Sequence, residues 1–393
     1  MIEDNYNVLQ ILREEKGSID FEKLTKIILD GFKYEVITKS DELLLNLIFS
    51  DKTTQEDLDR FLEKWDIEVV GGHKALLLAY FMKIHPELKF SDYTEPRLKG
   101  LLQFYRFQNM KLISHYTKIC NKLKNQNVEF LIFKGGCMKH LRPEYPRIMG
   151  DIDILVHEKD YTTAGKIAEQ MGYDTCWDIH SIDIHPKGSE EGIMDIHKYI
   201  ILQSKKEKTF IPDLFARAIK QKVFGTDALV PSNEDLVFIT LVNMVRNLQN
   251  KTSYGGIPYT LFDCKFLIES KPDFNWNIVI ENAKKTGTEN NIYFAIRFIN
   301  GIVPNLLPDK IKRDNLFERE FRKYCTLLAY QRFYLWEMKQ KSHQMKIKNL
   351  FSSKEFFVEY LKLKPKYFIL KMGLIRKNPV LAKMVLKTAG LLT

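Results

Sequence analysis

The sequence of 393 residues has few cysteines, and nothing in their spacing suggests that they act together. The five cysteines are odd in number, widely scattered and without a Cys-x-x-Cys pair. A disulfide framework needs an even, regularly spaced set, and a zinc knuckle needs closely paired thiols. The pattern therefore argues against both, and we expect free thiols in a reducing cytoplasm.

Long apolar runs are also missing. No stretch approaches the roughly 18 uncharged apolar residues that a membrane helix requires, and the first residues have neither a basic start nor an apolar stretch that would indicate a signal peptide. No internal repeat or low-complexity tract is visible. With 45% hydrophobic and 28% charged residues, the composition is typical of a globular protein, here a cytoplasmic one of two or three domains.

One stretch, residues 128–156, combines two strand patterns. An apolar run ends in a Lys-Gly-Gly turn, and after a proline-containing segment the chain alternates polar and apolar residues from 151 to 156. Side chains alternate between the faces of a strand, so Asp151 and Asp153 are predicted to share a face about 6 to 7 Å apart. Carboxylates this close repel each other unless a cation lies between them, which indicates a divalent-metal site.

The glycines of that turn, Gly135 and Gly136, indicate a second function. Glycine permits a close backbone approach, so the amide groups can cradle phosphate oxygens, and a helix expected from about Cys137 would direct its positive end toward them. Phosphate groups beside a metal ion describe a nucleoside triphosphate site. Either feature alone fits a plain turn or an exposed strand, but their order, with Arg147 four residues before Asp151, favours the site.

The same residues resemble the uncharacterised nucleotidyltransferase family of the DNA polymerase β-like superfamily, over residues 128–198. The similar residues are Lys134-Gly135-Gly136, Tyr145-Pro146, Arg147, the run from Asp151 to Val156, and Asp195 in Met194-Asp195-Ile196-His197. Two departures concern the phosphate loop: Gly136 stands where the superfamily often has serine, and the interval to Asp151 is somewhat long.

The resemblance implies an α+β fold, with a small mixed β-sheet core of the polymerase β-like type between N-terminal and C-terminal helical domains. It implies that Mg²⁺ or Mn²⁺ is bound by three catalytic carboxylates, Asp151, Asp153 and Asp195. The substrate would be an NTP, with ATP expected, held by Lys134, Gly135, Gly136, Arg147 and His197. An NMP would pass to a hydroxyl-bearing acceptor with release of pyrophosphate, and a sugar, a lipid-linked glycan, a peptide and an RNA stay open as acceptors.

Two other functions stay open. A zinc-dependent hydrolase is one, since several residues of zinc-binding type lie close together in the chain without a standard zinc spacing: His180, Asp183, His185, Asp195 and His197. The other is a toxin-like or regulatory protein that keeps the fold and acts on or binds RNA. The intact carboxylates favour catalysis over the regulatory alternative.

Four segments are predicted. Apolar periodicity indicates helical domains over 1–125 and 206–338, the resemblance implies a nucleotidyltransferase core over 126–205, and charge marks a basic tail over 339–393. Within them, 212–222 is predicted to be a helix, and Asp195 to lie on a hairpin strand beside the first aspartate pair. In the helix predicted at 233–250, Arg246 is placed where it could face the cleft. The aromatic residues of the helix predicted over 96–125, from Phe104 to Tyr116, are assigned to a core.

Positive charge is concentrated at the end of the sequence. Residues 339–393 contain 13 Lys and Arg against 2 Asp and Glu, whereas the whole chain has a net charge of only +10. Basic residues mixed with aromatic and aliphatic ones suit an anionic membrane surface, here the inner face, or an RNA. A final helical hairpin with a solvated basic face explains the pattern equally well.

Overall fold

In the computed structural model, the chain forms two compact units, one of residues 1–32 with 312–393 and one of residues 33–311. The structure describes residues 21–50, 52–65, 67, 72–145, 147–201, 204–250, 256–308, 321, 324 and 325. The second unit contains the sheet and the candidate site. The basic tail over 339–393 and the first 20 residues of the predicted N-terminal helical domain lie outside the described residues.

The described chain begins with a series of helices: α1 (Phe21–Val36), α2 (Lys39–Phe49), α3 (Gln55–Leu62), α4 (Gly72–Ile84) and α5 (Thr94–Asn125). Threonine caps start two of them, because the side chains of Thr38 and Thr54 each form a reciprocal capping box with an aspartate three residues on. Apolar side chains of α2 to α5 form one core around Phe61 and Leu78. The described residues of the range 1–125 are thus mainly helical, as periodicity predicted.

Seven strands form one mixed sheet: β1 (Phe130–Ile132), β2 (Ile152–Val156), β3 (Asp174–Trp177), β4 (Ser181–His185), β5 (Met194–His197), β6 (Ile219–Val223) and β7 (Thr226–Val230). Their order is β3-β4-β5-β2-β1-β7-β6. Strand β2 is antiparallel to β1 and parallel to β5. All five residues of β2 are buried, and the strand that carries Asp153 lies in the middle of the sheet rather than at its edge.

Seven helices accompany these strands in the described residues: α6 (Lys134–Leu141), α7 (Tyr161–Gln170), α8 (Ser204–Arg217), α9 (Asn233–Asn250), α10 (Ile257–Glu269), α11 (Trp276–Thr286) and α12 (Glu289–Ile302). The predicted α+β fold, a mixed sheet flanked by helical regions, is confirmed. None of the described helices has the length and apolarity of a membrane span. The five cysteines are free, as predicted.

The helix predicted over 212–222 is wrong in its second half. Helix α8 ends at Arg217, and residues 219–223 form β6, which pairs with β7. The physical reason is the tight turn between the two strands, where Phe224 and Gly225 have φ of 49° and 87°. Two successive positive φ values fit the twist of a two-residue hairpin. The turn therefore lets residues 219–223 pair with β7 instead of extending α8.

The aromatic residues of α5 divide between core and surface. Tyr116 is completely buried, as predicted, but Phe104 and Phe107 are 54% and 62% exposed. The core assignment is therefore wrong for these two phenylalanines, because helical spacing turns them away from the packed face.

A small apolar cluster connects the segment before β2 to the helices. Leu77 and Tyr80 of α4 pack with Tyr145, and Tyr259 and Phe262 of α10 complete the cluster. The chain that leads into β2 is therefore held from both sides by side chains distant in sequence. This packing fixes the entrance of the strand that carries the candidate site.

Candidate active site

Three aspartates lie side by side across neighbouring strands. The parallel pairing of β2 and β5 places Asp153 opposite Asp195, and the antiparallel pairing of β4 and β5 places Asp183 opposite Asp195. Residues directly opposite each other project to the same face of a sheet, with strands about 4.8 Å apart. The prediction that a hairpin brings Asp195 beside Asp153 is confirmed.

A compact group of possible metal ligands occupies this face. One carboxylate oxygen of Asp153, one of Asp195 and a ring nitrogen of His197 all lie within 4.8 Å of one another. His197 Nε2 lies 2.9 Å from Asp153 Oδ1 and 3.8 Å from Asp195 Oδ2. Among the described residues, Asp151 is not a member of this group; it lies just before β2.

The carboxylates act strongly on one another. The charge of Asp153, followed by burial, raises the pKa of Asp151 to about 7. Burial, followed by the charges of Asp151 and Asp153, raises the pKa of Asp195 to about 8. Burial alone would also raise the pKa of Asp153. The Lys134 ammonium and a hydrogen bond from His197 instead hold the pKa of Asp153 well below the usual range. The site therefore gathers more carboxylates than its own cations neutralise.

Lys134 provides the positive charge next to Asp153, with which its ammonium forms an ion pair. Its backbone φ is +52°, in the left-handed region. This conformation costs a residue with a side chain about 1 to 2 kcal/mol, and such strain is found most often at functional sites. Lys134 is the first residue of α6 and only Phe133 separates it from β1, so its side chain starts close to the strands that carry the aspartates.

The two glycines lie inside the first turn of α6, because the helix begins at Lys134 and not near Cys137 as predicted. A Cβ atom at Gly136 would lie 2.9 Å from Ile152 Cγ2, so only glycine lets α6 approach β2 this closely. Phe133, the residue before the helix, provides no side-chain cap. The first backbone N–H groups thus keep the capacity to bind an anion.

Arg147 is committed to a buried ion pair. Its guanidinium pairs with Asp263 on α10, whose side chain is only 3% exposed. The Arg147 carbonyl accepts a hydrogen bond of 2.7 Å from Asn109 Nδ2. These contacts fix the segment before β2, while the predicted contact between Arg147 and the nucleotide stays a prediction.

Helix α9 carries a positive charge, that of Arg246, which interacts with the charge of Asp153. Burial lowers the pKa of Arg246, and the charges of Asp153 and Glu207 oppose that effect. The predicted orientation of Arg246 toward the cleft stays a prediction.

Glu207 was not identified from the sequence. Its carboxylate is completely buried and accepts N–H donation from Ile200 and Ile201, just after β5. Burial raises its pKa to about 7. Nothing in the local sequence distinguishes this glutamate from its exposed neighbours, since its role depends on a chain segment folded back onto α8.

The histidines of the zinc alternative do not form one compact ligand group among the described residues. His180 Nδ1 lies 3.1 Å from Asp178 Oδ2, and the ring centroids of His180 and His197 are 6.0 Å apart. His185 is not part of the compact ligand group found among the described residues. Of the five zinc-type residues, only Asp195 and His197 belong to that group.

Comparison with known proteins addresses the family directly. The profile of a family described as uncharacterised nucleotidyltransferase matches residues 74–304, more than half of the chain. No curated protein matches. Among solved structures, the chain is similar to an antigenic nucleotidyltransferase-like protein from Paracoccidioides brasiliensis, with 14% sequence identity. The match covers 47% of this chain and 92% of that one, and its TM-score of 0.33 is too low to support an argument about activity. By its match to the family profile, the chain belongs to the uncharacterised nucleotidyltransferase family.

Proposed function

We propose that the protein transfers an NMP from an NTP, with ATP as the expected donor, to a hydroxyl-bearing acceptor, and that the reaction depends on Mg²⁺ or Mn²⁺. The observation that carries this proposal is the cross-strand pair of Asp153 and Asp195, with a donor atom of His197 within the same 4.8 Å. In a chain of a nucleotidyltransferase family, such a pair is the natural place for the catalytic metal.

The donor set fits a hard divalent cation. Carboxylate oxygens are the ligands that Mg²⁺ and Mn²⁺ prefer. The surplus of negative charge that raises the pKa values of Asp151 and Asp195 supports the same conclusion. His197 Nδ1 is buried without a hydrogen-bond partner, and burial, followed by the charge of Lys134, lowers the pKa of His197 to about 4. The imidazole is therefore neutral and can serve as a ligand or as a positioning group.

Asp153 and Asp195 would hold the cation, with Asp151 as the predicted third carboxylate. When bound, a divalent cation neutralises phosphate charge and orients the α-phosphate for in-line attack. We assign the acceptor hydroxyl to the side of Asp195, because an acceptor must reach the site from solvent. The side chain of Asp195 is 22% exposed, whereas that of His197 is 6% exposed. Asp195 would accept the hydroxyl proton.

The triphosphate would be held by the start of α6. The backbone N–H groups of Gly135 and Gly136 lie in its first turn, where an anion is favoured. The ammonium of Lys134 and the guanidinium of Arg246 would contribute positive charge near Asp153. Charges fixed before the reaction stabilise the charge that develops on the transferring group.

The first test is the metal dependence of nucleotide binding. Calorimetric titration of the full-length protein with each of the four NTPs, with and without MgCl₂ or MnCl₂, should give at least about tenfold tighter binding with metal, a difference of about 1.4 kcal/mol. The physical reason is that uncompensated carboxylates repel the triphosphate. Equal affinity without metal, or stoichiometric zinc retained through purification, would contradict the proposal.

A further inference from the structure

A second cleft lies on the helical side of the same unit, with a volume of about 490 Å³. Side chains of α4, α5 and α6 and of the segment before β2 line it. Arg147, whose guanidinium pairs with Asp263, is among the lining residues, whereas Asp151, Asp153 and Asp195 are not. A volume of this size is within the range of about 300 to 1,000 Å³ that small-molecule sites occupy.

Three cations from three helices line this cleft: Lys83 of α4, Arg106 of α5 and Lys139 of α6. In the part of the chain that the structure describes, none of the three forms an ion pair with a carboxylate. Lys139 Nζ instead donates to the carbonyl oxygens of residues 143 and 145, at 2.6 and 3.0 Å. Glu144, the carboxylate that lines the cleft, accepts a hydrogen bond of 2.8 Å from Arg142.

These cations are close enough to repel one another. Burial lowers the pKa of Lys139, the charge of Glu144 raises it, and the charges of Lys83 and Arg106 lower it again. Like charges gathered around one space are relieved by an anion placed between them. A phosphate group suits three separate donors, since it presents several charged oxygens at once.

The cleft also has an apolar wall. Leu102, Met110 and Ile113 of α5 line it together with the basic residues, and Met110 is 59% exposed. Inorganic phosphate would leave this wall in contact with water. A ligand with an organic part would cover it and gain from burial of apolar surface.

We propose that this cleft binds an organic phosphate, with the phosphate group between Lys83, Arg106 and Lys139 and the organic part against Leu102 and Met110. The site is separate from the carboxylates and does not require a divalent metal. It goes beyond the proposed function, which assigns phosphate binding to the start of α6 alone.

The test uses phenyl phosphate as the probe. Phenol and inorganic phosphate, the part-molecules, serve as controls because each represents one half of the probe. Titrated into full-length protein in EDTA at low salt, phenyl phosphate should bind once per chain and more tightly than either part-molecule. Arg106→Ala and Lys83→Ala should each weaken it about tenfold, because each removes a charged hydrogen-bond donor. Both residues are exposed, so melting temperatures should stay unchanged.

Lys118→Ala is the matched control, an exposed lysine on the same helix that does not line the cleft. It should leave the affinity unchanged, as should Asp153→Asn, which alters only the carboxylate site. Equal weakening by Lys118→Ala, phenol binding as tightly as phenyl phosphate, or no saturable binding to the wild type would overturn the proposal. Loss of phenyl phosphate binding in Asp153→Asn would also overturn the proposal, because the probe would then occupy the carboxylate site. None of these outcomes changes the metal dependence of NTP binding, so this proposal and the proposed function can fail independently.

Discussion

Asp153→Asn is expected to lower the rate of nucleotidyl transfer by about 10³-fold, the effect typical of removing one preorganised charged group from an active site. Asparagine keeps the shape of the side chain but removes the charge that pairs with Lys134 and would bind the cation. The fold should survive, because the variant relieves the repulsion that raises the pKa of Asp151. Pyrophosphate release measures the rate, and a thermal melt checks the fold.

Two further variants test the position of the site. Asp183→Asn should lower the rate much less, because Asp183 faces Asp195 but lies outside the compact ligand group of the described residues. Asp273→Asn, at an exposed position, should have no effect. Equal losses in Asp153→Asn and Asp183→Asn would mean that the third carboxylate has been misplaced and that Asp183 belongs to the ligand set.

Arg147→Met is expected to destabilise the protein by about 3 to 5 kcal/mol, because it leaves the carboxylate of Asp263 buried and unpaired. Asp263 is 3% exposed, and its Oδ1 has no hydrogen-bond partner even in the intact pair. Denaturant unfolding at neutral pH measures the loss. Lys285→Met, which breaks a half-exposed ion pair with Asp213, provides the control and should cost at most about 1 kcal/mol.

The loss should also depend on pH. Burial raises the pKa of Asp263 in the folded protein, and Arg147 opposes that rise; removing the arginine therefore raises it further. A carboxyl group with a raised folded pKa costs nothing below its unfolded pKa of about 3.9 and destabilises the protein as pH rises above that value. Arg147→Met should thus be least harmful in acid and most harmful above the folded pKa of Asp263.

The double variant Arg147→Met, Asp263→Leu separates structure from nucleotide binding. Replacing both partners removes the unpaired charge, so most of the lost free energy of unfolding should return. If Arg147 also contacts the nucleotide, as the sequence resemblance implies, the refolded double variant will bind NTP more weakly than the wild type. Unchanged NTP affinity would assign Arg147 to the structure alone, and failure to recover stability would contradict the ion-pair explanation.

Much of the candidate site could be predicted because its signals are local. The apolar run before Lys134, the glycines and the alternation through Asp153 lie within 30 residues of sequence. Strand periodicity and a short turn were sufficient to place Asp195 on a hairpin in the same sheet. The family signature then connected these segments, and the fold class followed from it.

Other features depend on register or on distant partners, which local patterns do not specify. Asp183 entered the sequence analysis only as a zinc-type residue, and the pairing of β4 with β5 is what places it opposite Asp195. The partner of Arg147 lies 116 residues away on α10. The left-handed backbone of Lys134 could not be predicted, because a positive φ is normally expected at a glycine. Here the two neighbouring glycines are helical and the lysine before them has the positive φ.

The most direct measurement follows two isotopic labels. Full-length protein is incubated with cell extract, MgCl₂ and an NTP labelled either at the α-phosphate or at the γ-phosphate, with Asp153→Asn in parallel. Nucleotidyl transfer predicts that α-label enters an acceptor while γ-label is released as pyrophosphate, and that neither occurs with Asp153→Asn. Transfer of γ-label to the acceptor, or α-label incorporation that is equal in Asp153→Asn, would contradict a nucleotidyltransferase site built on Asp153 and Asp195.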